Sequence, residues 1–140
     1  PFGEIMLQTC AFLRSITEFG DYTRANKFVH TEKEGWITLG DAIEREEGAG
    51  RYRVGWRHKG KFIADLPVVV VVSKENDRLM AMSWGKDTMS LVGNQHHPCM
   101  HADPEFPEIA PGQTAAVHGR LVFFEGKLED FKAEDHFVLG

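Results

Sequence analysis

The spacing of apolar residues changes several times along the chain, and most of the changes predict strands. Five consecutive valines, Val68 to Val72, are the strongest signal. β-Branched side chains lose rotamer freedom in a helix and pack well on a pleated surface. The run is apolar on both parities, which predicts a central strand covered on both faces. Lys74-Glu75-Asn76-Asp77 makes a polar turn, and Leu79 to Trp84 returns antiparallel to the valines. Thr88 to Val92 predicts a further short strand. Earlier in the chain, Lys27 to Thr31 and Trp36 to Leu39 flank Glu34-Gly35 as a hairpin. Arg51 to Arg57 alternates over part of its length and predicts a strand, closed by a turn at His58 to Lys61.

Other segments are less regular. The apolar run within Glu4 to Ile16 has no decisive period; Thr9, Cys10 and Phe12 favour a strand, with a helix as the alternative. Phe19-Gly20-Asp21 marks a turn. Asp41 is an expected helix N-cap with Glu44 three residues on, and Gly48-Ala49-Gly50 ends that short helix. Four of the six prolines lie between His96 and Gly112, which predicts mostly loop. Gln113 to Glu125 predicts a long strand, kinked or bulged at Gly119, and the tail after it a helical turn or two. Together these elements predict an all-β fold, an antiparallel β-sandwich with one or two short helices. An α+β fold with an N-terminal helix is the alternative.

Composition narrows the function classes. A chain of 140 residues, 42% hydrophobic and 26% charged, is long enough for one domain with a real core. The net charge is −5 and no long basic run exists, which argues against nucleic acid as a partner. The apolar run Leu66 to Val72 is too short to span a bilayer, so no membrane segment is expected. Two cysteines make no disulfide scaffold, which favours a reducing, cytoplasmic setting. The chain starts at Pro1, which fits either one processed domain over 1–140 or the C-terminal part of a longer protein.

The densest chemistry lies in GNQHHPCMHADPEFPEIAPG, Gly93 to Gly112. His97, Cys99 and His101 fall at i, i+2 and i+4, so in extended backbone they project to one side. Imidazole and thiolate suit a divalent metal such as zinc, with His96, Asp103 and Cys10 as further ligands. The spacing matches no standard zinc ribbon or finger. The alternatives are histidines that bond backbone carbonyls around a buried apolar cysteine, or a Cys10–Cys99 disulfide. Asp65, Asp103, Glu105 and Glu108 are carboxylates that would act as bases beside a histidine. Trp36, Trp56 and Trp84, with Tyr52, form a candidate stacking set for sugar rings. Tyr52, Arg53, Trp56 and His58 are its expected saccharide-binding residues, and the opposing reading places Tyr52 and Trp56 in the core. No G-x-S-x-G motif or phosphate-binding glycine loop occurs.

LQTC near the start, GWITL, PVVVVVS and the long stretch MSWGKDTMSLVGNQHHPCMHADPEFPEIAPGQTAAVHGRLVFFEG carry a resemblance. The chain resembles uncharacterised bacterial β-sandwich proteins with an H-P-C-x-H-x-D-P loop. Its closing strands are similar, more distantly, to galactose-mutarotase-like supersandwich domains. His97, Pro98, Cys99, His101, Asp103, Pro104, Phe106 and Pro107 carry the loop motif. The resemblance implies a β-sandwich, a carbohydrate association and an N-terminal portion beyond Pro1. It also implies a sheet edge that pairs with another chain, a homo-oligomer. Three expectations of function follow. The first is a protein that binds or acts on a saccharide through an aromatic and His-rich surface. The second is a metal-dependent, cupin-like enzyme using His97, Cys99 and His101. The third is a non-catalytic assembly subunit.

Overall fold

The computed structural model describes residues 9–12, 19, 24–56, 58–93 and 99–139. Gly20-Asp21 and most of the run 4–16 lie outside them. The fold is an all-β sandwich of two five-stranded sheets. Its strands are β1 (Cys10–Phe12), β2 (Lys27–Thr31), β3 (Gly35–Thr38), β4 (Tyr52–Val54), β5 (Lys61–Ala64), β6 (Val69–Val72), β7 (Arg78–Ser83), β8 (Thr88–Gly93), β9 (Cys99–Pro104) and β10 (Arg120–Glu125). The first sheet runs β1-β9-β8-β4-β5 and the second β10-β7-β6-β2-β3. All pairs are antiparallel except β4 with β8, which is parallel. None of the described helices is long and apolar enough to cross a membrane.

The valine strand lies in the middle of the second sheet, and its two faces serve two cores. Val69 and Val71 meet Val29, Leu91, Met100 and Ala102 between the sheets. Val70 and Val72 face the other way, with Leu79 and Ala81, under Leu128, Phe131, Ala133 and Phe137 of the C-terminal tail. That tail makes two 3-10 turns, Leu128–Asp130 and Ala133–Asp135. A strand apolar on both parities therefore gains a cover on both sides, as the hydrophobic effect requires.

The expected hairpin around Gly35 forms, with Phe28 opposite Thr38 and Thr31 opposite Gly35. Gly35 takes φ +72°, which favours glycine there. A short α-helix, α1, spans Leu39–Glu44. Its N-cap is Thr38 rather than Asp41: the Thr38 hydroxyl accepts from the Asp41 amide at 3.2 Å. Asp41 then sits in the first turn, where its charge favours the helix N-terminus. Replacing Thr38 by alanine should lower stability by about 1 kcal/mol, readable as a shifted urea midpoint.

Three segments differ from the sequence expectation. Residues 105–112 are loop, as expected for the segment from His96 to Gly112, but a strand precedes them. Cys99–Pro104 is β9, paired with β8 on one side and β1 on the other. Pro104 ends the strand, and Cys99 to Asp103 contains no proline to interrupt the ladder. Lys61 begins strand β5 instead of closing a turn. The strand expected over 113–125 pairs only from Arg120, leaving 105–119 as a largely exposed connection with a turn at Pro111-Gly112. At Gly119 a Cβ would meet the Trp84 ring at 2.7–3.0 Å, so the chain passes too close to that indole for any other residue.

Candidate functional site

β9 alternates between two environments. Met100 and Ala102 point into the core between the sheets. Cys99, His101 and Asp103 share the opposite face, yet all three are buried. Register brings neighbours to the same face. Cys10 lies opposite His101 from β1, and Val92 and Ser90 lie opposite His101 and Asp103 from β8. Arg53 lies beside Ser90 from β4, and Phe62 beside Arg53 from β5.

Three side chains form a line along the strand. The Cys99 Sγ is 3.5 Å from His101 Nε2. His101 Nδ1 is 3.9 Å from Asp103 Oδ1, a charge contact too long for a hydrogen bond. That nitrogen is buried and has no hydrogen-bond partner among the described residues. Asp103 is fully buried and held by two donors, the Thr9 amide at 3.1 Å and the Ser90 hydroxyl at 3.2 Å. Burial pushes the Asp103 carboxyl above its ordinary range, against the pull of Thr9, His101 and Ser90. Burial also lowers His101, against the attraction of Asp103. The imidazole is thus biased towards its neutral form, able to accept at one nitrogen and donate at the other.

The cysteines are both free thiols, Cys10 exposed and Cys99 buried. They sit diagonally across the β1–β9 ladder, since Cys99 is opposite Phe12. Partial desolvation, then the neighbouring Cys99 and Asp103, push the Cys10 thiol up, although part of the residue faces solvent. His97 and His96 lie outside the described residues. Among the described residues no three His, Cys, Asp or Glu side chains are grouped so as to hold a metal ion. The expected ligand set is therefore represented by the Cys99–His101 pair.

The aromatic residues separate. Tyr52 is buried in the core between the sheets. Trp36 packs on the outer face of the second sheet, 5.0 Å from His30 and 6.1 Å from Phe131 between ring centroids. Trp84 packs against the core between the sheets and donates its indole N–H to the Ala102 carbonyl at 2.6 Å. Trp56 stays with the β9 line, edge-on to His101 with ring centroids 5.6 Å apart. Gly55 takes φ +106°, which breaks the alternation after Val54 and turns Trp56 away from the side that Tyr52 faces. The Arg53 guanidinium lies over the Phe62 ring at 4.6 Å and donates to the Gly60 carbonyl at 2.7 Å. Phe62 is 48% exposed and His58 lies exposed in the turn between β4 and β5. Of the four expected saccharide contacts, Tyr52 is thus taken into the core, while Arg53 and Trp56 are half-buried and His58 is exposed.

No family model, curated protein or solved structure matches this chain.

The site therefore rests on its own geometry. Asp65 hydrogen-bonds His30 at 2.7 Å on the second sheet and takes no part in it. Glu105 and Glu108 are exposed on the connection after β9. Sequence reasoning missed Ser90 and Thr9, the two groups that fix Asp103. A serine inside the apolar strand TMSLVG was the only available signal.

Proposed function

We propose that the outer face of the first sheet binds a saccharide, with Trp56 as its stacking surface. One observation carries this reading: the face that holds His101 carries Trp56 packed on that imidazole and the half-exposed Phe62 under the Arg53 guanidinium. Indole and phenyl faces suit the C–H side of a pyranose. The Arg53 guanidinium, with one nitrogen spent on Gly60, and the exposed His58 supply donors for hydroxyls. The buried Ser90–Asp103 pair and His101, on which the Trp56 ring packs, support the surface from beneath. Tryptophan fluorescence titrated with a panel of oligosaccharides tests the reading. At least one should bind, and Trp56→Ala should weaken it on the order of tenfold. Silence across the panel, or unchanged affinity in the variant, would remove the proposal.

A second reading has its own observation. In a tetrahedral zinc site with bonds near 2.3 Å to sulfur and 2.0–2.1 Å to nitrogen, the S···N edge is about 3.6 Å. Cys99 Sγ and His101 Nε2 stand 3.5 Å apart. Asp103 would then orient the imidazole from behind, as carboxylates do in zinc sites. A third ligand would come from outside the described residues, where His97 lies. On this reading protein purified without a tag holds one metal ion per chain, and His101→Ala loses it. A wild-type protein that takes up no zinc on incubation and dialysis would dispose of it.

A further inference from the structure

Beyond Trp56 the surface drops into a cavity of about 140 Å³. Its walls are apolar and include Trp56 and Val92, the residue paired with His101. Arg24, Lys59 and Lys61 also line it, and no acidic residue does among the described residues. Three cations around one cavity stand out in a chain whose net charge is −5. The larger cavity, about 270 Å³, lies elsewhere and mixes both signs, with Glu32, Glu34, Glu47 and Asp65 beside Lys33 and Arg45.

Two of the three cations are held in place by backbone. The Arg24 Nε donates to the Gly93 carbonyl at 2.8 Å, which leaves its two terminal nitrogens to form a fork. The Lys61 ammonium donates to the carbonyls of Arg45, at 3.1 Å, and Glu46. Lys59 is exposed at the mouth. Carbonyl oxygens orient these groups without neutralising their charge. The nearest arginine of the helix end, Arg45, is already paired with Glu34 and Asp41. Low-dielectric walls strengthen the field of the remaining cations at the cavity.

We propose that this cavity takes the carboxylate of an acidic sugar, a uronate whose ring rests on Trp56. The inference rests on the saccharide reading and adds its charge specificity. A neutral sugar gains little from three cations, whereas a carboxylate accepts charge-assisted hydrogen bonds from an arginine fork and a lysine. A sulfate ester on a sugar offers related chemistry, and the test separates the two.

Calorimetry at low salt would compare trigalacturonate, the matching neutral galactose trisaccharide and a sulfated galactose trisaccharide. The expected result is a preference of at least tenfold for trigalacturonate over the neutral sugar, shrinking as salt rises. Lys59→Ala and Arg24→Gln should each remove most of that preference and leave the neutral sugar unchanged. Thermal melts of both variants would confirm that they remain folded; Lys59, being exposed, keeps the test valid if Arg24→Gln does not. Equal affinity for the acidic and neutral sugars would overturn the charge inference and leave the saccharide surface standing. A preference unaltered by Lys59→Ala and by a folded Arg24→Gln would place acid recognition elsewhere and overturn it as well. Tighter binding of the sulfated sugar, lost in the same variants, would replace the uronate by a sulfate ester. No binding of any of the three would remove both readings.

Discussion

Replacing Phe131 by alanine should cost about 3–5 kcal/mol of folding free energy, a large share of a typical domain's stability. The residue lies in the C-terminal tail, outside every strand, yet it is almost fully buried. Its ring stacks on His136 at 5.1 Å and meets Phe124 at 5.2 Å and Trp36 at 6.1 Å. Beneath it lie Val70, Val72, Leu79 and Ala81, the outward side of the valine strand and its neighbour. Removing the ring uncovers that side and leaves a void that a well-packed sheet cannot fill. Val138→Ala is the control: Val138 is 84% exposed, and its loss should change stability by no more than about 0.5 kcal/mol. Urea unfolding of both variants would decide the matter. If Phe131→Ala shifted the midpoint no more than Val138→Ala, the tail would not be closing a second core.

The second large effect is expected at Asp103. Asp103→Ala strips the Thr9 amide and the Ser90 hydroxyl of their acceptor, each of which costs about 1–3 kcal/mol if it stays buried and unpaired. Its pH dependence has a definite sign. The native Asp103 carboxyl is raised, so the folded state keeps a proton that the unfolded chain has released. The associated stability is fully present below the ordinary aspartate value and is lost as pH rises through the raised native value. His101 works in the other direction. Its native value is depressed, so its contribution is present above the ordinary imidazole value and is lost as pH falls through the depressed one. Asp103→Asn preserves an oxygen acceptor and deletes the charge. It should abolish the first slope and push the His101 titration lower still, because the Asp103 charge was opposing the shift. An NMR titration reads this directly. A His101 that titrates at the usual imidazole position, in wild type and variant alike, would contradict the buried geometry.

Much of the sandwich was legible because its strongest elements carry their own physics. The valine run reads as a two-sided strand from rotamer restriction alone, and the hairpin at Gly35 from turn chemistry. β9 was hidden by what flanks it. Proline density suggested loop, and a strand whose one face is Cys, His and Asp does not look apolar, although that face is buried. Its alternation was nonetheless correct, since Cys99 and His101 do project to one side. Tyr52 and Trp56 share a parity, which links them in the sequence. The positive φ of Gly55 separates them in space, and no period reveals it. The pairings that build the site, β1 with β9 and β4 with β8, join segments far apart in the chain. Local pattern holds no record of such partners, so a serine within an apolar strand was the only trace of the shelter that Thr9 and Ser90 give Asp103.

The exposed crossing from Glu105 to Gly119 joins β9 in one sheet to β10 in the other, and few of its backbone groups bond to the rest of the fold. Around Pro111-Gly112 it is spliceable ground. A tag or a whole guest domain seated there would leave the ladders on either side intact, and a protease nick would yield two pieces that remain clasped by their shared sheets.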